Sequence, residues 1–294
     1  MRPRASGQPP VWLPRITGTD ESLRIDVEHL PGALVTAAAS MAPLQDIAHE
    51  LTLEAHARVV QDGDLALFRV SDENTFRSMQ VQDSSGRRMS IYGGDLLIGV
   101  LGARESPSHV LGELPRKLVE PGARLHLLSD AGVVGALLFA ADQQPVALEL
   151  CGLLAWKRTA ANLSRWRGRP PGLCTLPPVI LIVGTATGIG KTTLTCRLIH
   201  TLVHDHGELV GSIMLSGSGG KDDALAYRAA GARFTHSFIE AGLGTSYSCP
   251  PREFVGLVDG ICHRMAAEER PSIIVGELGG RLLVRWRRSR AAGE

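Results

Sequence analysis

The chain has 294 residues, 31 Lys and Arg against 30 Asp and Glu, a formal net charge of +1, 44% hydrophobic residues and 4% aromatics. A near-neutral balance with so few aromatics excludes a globally basic, base-stacking surface for nucleic acid, and the length fits two domains of roughly 100–200 residues each. Cys151, Cys174, Cys196, Cys249 and Cys262 are odd in number and form no CxxC pair, which argues for reduced thiols in a cytoplasmic protein and against a disulfide framework or a zinc site. No apolar run approaches the ~18 residues of a membrane span. Arg2 and Arg4 are not followed by the apolar core of a signal peptide.

Residues 1–20 are rich in Pro, Arg, Gly and Thr without periodicity, the composition of a disordered N-terminus. Residues 21–156 read as a β-rich domain. Within it, Ala42 to Arg58 is expected to hold an amphipathic helix, because Leu44, Ile47, Leu51 and Ala55 recur at helical spacing. Asp64 to Val70 reads as a strand and Met79 to Tyr92 as a hairpin turning at Ser85-Gly86. Leu96–Leu101, Arg124–Leu128, Val133–Phe139 and Pro145–Leu154 give further short strands separated by glycine turns. Such spacing predicts a small, partly closed barrel. Residues 157–178 carry five basic residues and the pairs Pro170-Pro171 and Pro177-Pro178. Prolines forbid a regular helix or a central strand, so this interval is expected to be a solvated linker.

Residues 179–294 hold the clearest signal. Val179-Ile-Leu-Ile-Val183 is an apolar, mostly β-branched run of the kind buried in parallel sheets. Gly184-Thr-Ala-Thr-Gly-Ile-Gly190 follows, then Lys191-Thr192-Thr193 opens a helical pattern with Leu194, Leu198, Ile199, Leu202 and Val203 on one stripe. Strand, glycine turn, Gly-Lys-Thr and helix make a phosphate-binding loop. Glycines at 184, 188 and 190 let backbone amides curl around phosphate oxygens, and the helix N-terminus adds its positive end. In this reading Thr185, Thr187 and Ile189 line the loop, Lys191 meets the β- and γ-phosphates, and Thr192 ligates Mg²⁺. Leu209–Leu215 is expected to be the next strand, Asp222 to cap a helix from Asp223 to Ala230, and Phe234–Ile239 to be a third strand. Phe254 to Met265 has helical spacing, and Pro271 to Glu277 is a strand that ends in a carboxylate. Glu277, delivered beside the loop strand, is the expected acidic partner of the metal.

The loop spacing departs from the commonest pattern, since Thr185 stands where a glycine is expected. The longer register, Gly184-Thr-x-Thr-Gly-x-Gly-Lys-Thr, resembles dethiobiotin synthetase and its relatives in the SIMIBI-type group of P-loop enzymes. The resemblance covers about residues 178–284. Ser216-Gly217 with Asp223-Ala-Leu-Ala is similar to that family's Ser-Gly and Ser-Asp-Ala-Leu segments, which implies a metal role for Asp223. Glu277-Leu-Gly-Gly-Arg-Leu-Leu-Val resembles its Glu-Gly-Ala-Gly-Gly-Leu-Leu-Val, offset by one residue. Ala186 replaces an acidic residue, the Lys-Pro-Val catalytic segment has no counterpart at Ser212–Met214, and no guanine-specifying Asn-Lys-x-Asp is present.

The expected protein is therefore α/β, with a doubly wound, mainly parallel P-loop sheet behind a small β-rich domain. Its expected ligands are ATP, with GTP possible, Mg²⁺ and a small-molecule substrate. Lys191 and Glu277 are the catalytic candidates, and Thr192, Asp223 and Glu277 the metal ligands. The expected reaction is phosphoryl transfer that activates a carboxylate or a similar group. A nucleotide-gated regulatory or chaperone NTPase, or an inactive nucleotide-binding protein, is the alternative. The sequence beyond Glu277 shows no further β–α unit and turns basic around Arg281, Arg285, Arg287, Arg288 and Arg290. A C-terminally incomplete nucleotide domain is thus expected, one that self-associates or needs a partner segment.

Overall fold

A computed structural model describes residues 22–23, 33–44, 46–47, 50–54, 56–74, 79–106, 110–141, 145–168, 172, 174–184, 188–247 and 249–279. The expectations for residues 1–20, Thr185, Ala186, Thr187 and the basic stretch from Arg281 to Arg290 concern residues outside these. The chain is a mixed α/β protein.

The first part is built from strands. In chain order these are β1 (Ser22–Leu23), β2 (Leu34–Val35), β3 (Leu51–Glu54), β4 (Leu65–Val70), β5 (Met79–Gln82), β6 (Arg88–Ile91) and β7 (Leu96–Leu101). They continue with β8 (Arg104–Ser106), β9 (Val110–Glu113), β10 (Arg124–Leu127), β11 (Val133–Ala140), β12 (Ala147–Trp156) and β13 (Thr159–Ala160). β5 and β6 form the expected hairpin, with Asp83 to Arg87 as its turn. The pairings β12–β4, β4–β7, β7–β11, β11–β10 and β10–β12 return to their starting strand, so these strands close a ring. Phe68, Leu97, Leu125, Val134 and Leu150, one from each strand, belong to one buried cluster that fills the ring. Leu65 and Leu67 point the other way, toward Ala37–Ala39, Leu51 and Leu163, as alternation along a strand requires.

Two expectations fail here. Leu51–Glu54 is a strand, not part of a helix, and it pairs antiparallel with both β1 and β12. Its alternate burial, Leu51 and Leu53 inward, shows that a two-residue period prevailed over the overlapping helical one once β12 offered a full ladder. The interval 157–178 begins inside the sheet rather than as a free linker. β13 pairs with β12, and Ala161 and Leu163 are completely buried.

The second part contains β14 (Val179–Val183), α1 (Lys191–His204), β15 (Val210–Met214), α2 (Asp222–Ala229), β16 (Phe234–Ser237), α3 (Pro251–Glu268) and β17 (Ile273–Leu278). Its sheet runs in the order β14–β17–β15–β16, and each neighbouring pair is parallel. Ile199 of α1 and Tyr227 of α2 share a buried cluster with Val210, Met214 and Val275. Ile261 and Met265 of α3 share another with Ile213 and Ile274. Adjacent strand residues thus face opposite helical layers, with α1 and α2 on one side and α3 on the other. α2 begins one residue earlier than expected, and Lys221 rather than Asp222 holds the cap position, without a side-chain cap bond. Asp222 instead accepts from Arg88 Nη2 at 2.6 Å and from Gln82 Nε2 at 2.9 Å, across to the β5–β6 hairpin.

Candidate functional site

The parallel sheet converges its C-terminal strand ends on the turn before α1. Gly188 and Gly190 have φ of +79° and +90°, a region that side chains with a Cβ adopt at a cost. Gly190 occupies the cap position of α1, no side chain caps that end, and its first turn carries no acidic residue. The leading amides of α1 therefore lack the usual side-chain acceptor. Gly188, Ile189, Gly190 and Thr193 are exposed around this end.

Gly184 is closely approached by two flexible side chains. A Cβ there would stand 2.7 Å from Lys191 Cδ and 2.6 Å from Ile189 Cδ1. Lys191 thus folds its stem back over the end of β14. Its Nζ would lie 3.8 Å from a Cβ built on Gly279, just beyond β17, which places the ammonium where the two strands end. The Gly279 N–H donates to Ser216 Oγ and holds that corner together.

Glu277 sits opposite Ile182 in the β14–β17 register and is 7% exposed. Two hydroxyls hold its carboxylate, Thr192 donating to Oε1 at 3.2 Å and Tyr227 to Oε2 at 2.5 Å, while the Thr195 hydroxyl divides its one proton between the Lys191 carbonyl at 3.0 Å and Oε2 at 3.4 Å. Burial, then the hydrogen bond and charge of Glu277, push the Tyr227 phenol upward, so it remains a proton donor. Asp223, half-buried at the start of α2, also bonds the Thr192 side chain. Burial and then the nearby Glu277 charge raise the Asp223 carboxyl above its usual range, opposed by the Thr192 bond and by Lys191. Cys196, one helical turn from Thr192, has its thiol raised by burial and then by the same two carboxylates.

The structure therefore gathers Gly184, Lys191, Thr192, Asp223 and Glu277 at one end of the sheet. Thr195 and Tyr227, which the sequence reading did not single out, complete the surroundings of Glu277. Thr195 lies three residues after Thr192 on the same helix face, so its spacing was a usable signal. Tyr227 carried none beyond its place on a helix.

Among the described residues no group of three or more His, Cys, Asp and Glu is arranged to hold a metal ion. Thr192, Asp223 and Glu277 are nevertheless a set of hard oxygen donors, the type that Mg²⁺ prefers. The mutual repulsion of two carboxylates joined by one hydroxyl is a charge arrangement that a divalent cation relieves. The residues fit such an ion on those grounds. No protein-family model matches this sequence, and no curated protein matches it.

Proposed function

We propose that this protein binds a nucleoside triphosphate with Mg²⁺ at the Gly184–Thr193 turn and transfers a phosphoryl group to a carboxylate or a similar small-molecule oxygen. The observation that carries this reading is the Thr192–Glu277 contact. Two residues 85 positions apart meet because β14 and β17 are parallel neighbours, directly beside an uncapped helix end and a lysine folded over a glycine. In a P-loop sheet of the doubly wound type, these are the parts that hold polyphosphate and metal.

The chain's own residues have distinct tasks. The amides of Gly188, Gly190 and the first turn of α1 would donate to phosphate oxygens. Lys191 would neutralise charge building on the transferred group. Thr192, Asp223 and Glu277 would hold magnesium, which when bound supplies further charge neutralisation and orientation. Thr195 and Tyr227 keep the Glu277 carboxylate oriented. Cytoplasmic residence accords with the five free cysteines, and no described helix is long and apolar enough to cross a membrane.

A second reading, a nucleotide-gated regulator, is favoured by one observation. Asp223 faces the site while its neighbour Asp222 grips the β5–β6 hairpin. Titration calorimetry with Mg·ATP and Mg·GTP tests the shared premise, with Lys191→Ala as the control. Equal affinities for the wild type and Lys191→Ala would sink both readings. Phosphate release that depends on an added small acid or amine selects the enzyme, and release indifferent to such additions selects the regulator.

A further inference from the structure

A nucleophile and a base meet at the opposite end of the parallel sheet from Lys191. Cys174 precedes β14, and His263 lies in the last turns of α3. Cys174 Sγ stands 3.4 Å from His263 Nδ1 and donates to the His263 carbonyl oxygen at 3.4 Å, while the Cys174 backbone N–H donates to Nδ1 at 3.2 Å, so the thiol must turn from the carbonyl to use the imidazole. That N–H identifies Nδ1 as the unprotonated, accepting nitrogen. Nε2 then carries the proton and faces Asp259 Oδ1 at 3.6 Å, one turn earlier on the helix. Thiol, imidazole and carboxylate follow one another in the order used to activate a sulfur nucleophile. Beside them, on the neighbouring row of α3, Gly256, Gly260 and Arg264 line a cleft of about 240 Å³, with Arg167 and Glu240.

We propose that Cys174, assisted by His263 and Asp259, is a reactive thiol that forms a mixed disulfide with small carboxylate-bearing disulfides, whose carboxylates the Arg167 guanidinium attracts, the Arg264 guanidinium being already paired with Glu240 at 3.2 Å. In this exchange the Sγ–H proton passes to His263 Nδ1 and the sulfur attacks one sulfur of the incoming disulfide. The new S–S bond forms as the old one breaks. The released thiolate takes the proton from His263, so Cys174 is oxidised and the departing half is reduced to a thiol. Because the Cys174 N–H shares the accepting lone pair, the assistance is modest rather than that of a fully formed ion pair.

The other four cysteines are poor competitors. Cys249 and Cys262 are buried, burial pushes the Cys151 and Cys262 thiols up to about 11, and burial with two nearby carboxylates raises Cys196. Cys174 is half-buried, which leaves its sulfur within reach of a small reagent.

The test uses the full chain and the nitrobenzoate disulfide employed in thiol titration, with peptide mass mapping to locate the label. One fast equivalent is expected on Cys174, about tenfold or more ahead of the remaining thiols. Cys174→Ser should abolish the fast phase, His263→Gln should slow it about tenfold and Asp259→Asn about twofold to threefold. Asp259 is 56% exposed at its side chain, so that variant keeps the test available if His263→Gln fails to fold. Arg167→Ala should erase the reagent's advantage over a neutral pyridyl disulfide. A fast phase that survives Cys174→Ser, or an Asp259→Asn protein that reacts at the wild-type rate, overturns the assignment.

Discussion

Each half of the molecule buries a carboxylate, and the two are held differently. Asp64, at the start of β4, is 1% exposed. It accepts from Arg58 Nη1 at 2.8 Å, the Gln61 N–H at 2.8 Å and Asn162 Nδ2 at 2.9 Å. Glu277 is bonded by hydroxyls alone, those of Thr192 and Tyr227 with a longer contact from Thr195, and shares its surroundings with a second acid, Asp223. A guanidinium already answers the charge of Asp64, so that residue fastens β4 to the segment after β13. Hydroxyls orient a carboxylate without cancelling its charge. On the proposed reading, Glu277 is the one that receives a cation. Burial alone does not separate the two acids; the charge of their donors does.

The largest effect should come from breaking the closed arrangement. Arg58→Ala leaves Asp64 buried without its cation, and a loss of about 3–5 kcal/mol is expected in urea unfolding. A loss under about 1 kcal/mol would mean that Asp64 is open to solvent after all.

A smaller effect concerns Asp62, whose Oδ1 is buried without a hydrogen-bond partner among the described residues. Burial foremost, with the Asp64 charge in the same direction and the Gly63 N–H opposing, pushes its carboxyl up to about 7. An acid raised on folding favours the native state while protonated, and that contribution fades as pH rises through the folded value. The melting temperature of Asp62→Asn should therefore overtake that of the wild type between about pH 5 and pH 8, the gap widening by roughly 2–6 °C. A constant gap across that range would refute this account.

Next in size is the open arrangement. Lys191→Ala should weaken Mg·ATP by about 1–3 kcal/mol, the worth of a charged hydrogen bond. Glu277→Gln should remove any rise in melting temperature that Mg²⁺ gives the nucleotide-bound wild type. Persistence of the full magnesium effect in that variant would assign the cation elsewhere. The smallest effect is expected at Asp222. Its pair with Arg88 is about half exposed on both sides, so Asp222→Asn should cost under about 1 kcal/mol in denaturation. A larger loss would make the hairpin contact a true fastening of the two halves.

Legibility in the sequence followed the same division. The glycine turn could be read because its parts are consecutive, and Glu277 because an apolar strand ending in a carboxylate is a local pattern. The hairpin of β5 and β6 was equally plain. The closure of the ring was not, because it depends on β10 reaching both β11 and β12. Leu51–Glu54 misled because Leu44, Ile47 and Leu51 satisfy a helical period just where Leu51 and Leu53 satisfy a strand period, and only the partner strand decides between them. Cys174 and His263, separated by 89 residues, share no sequence signature at all. The arginines and prolines between 157 and 178 suggested a connector, yet Asn162 and Leu163 are drawn into the sheet by bonds to Asp62, Asp64 and Gly63.

The strand that delivers the glycine turn is also an edge strand of its sheet. Among the described strands β14 is laddered to β17 alone, whereas β15 lies between β17 and β16. Val179, Leu181 and Val183 are each about half exposed, at 48%, 48% and 52%. Local opening of β14 should thus require less free energy than opening of β15, and its amides should exchange with deuterium sooner. A ligand that touched both the turn after β14 and Glu277 on β17 would act as a second row of rungs. Slowed exchange in Ile180 and Ile182, measured without any assay of turnover, would then report occupancy of the site.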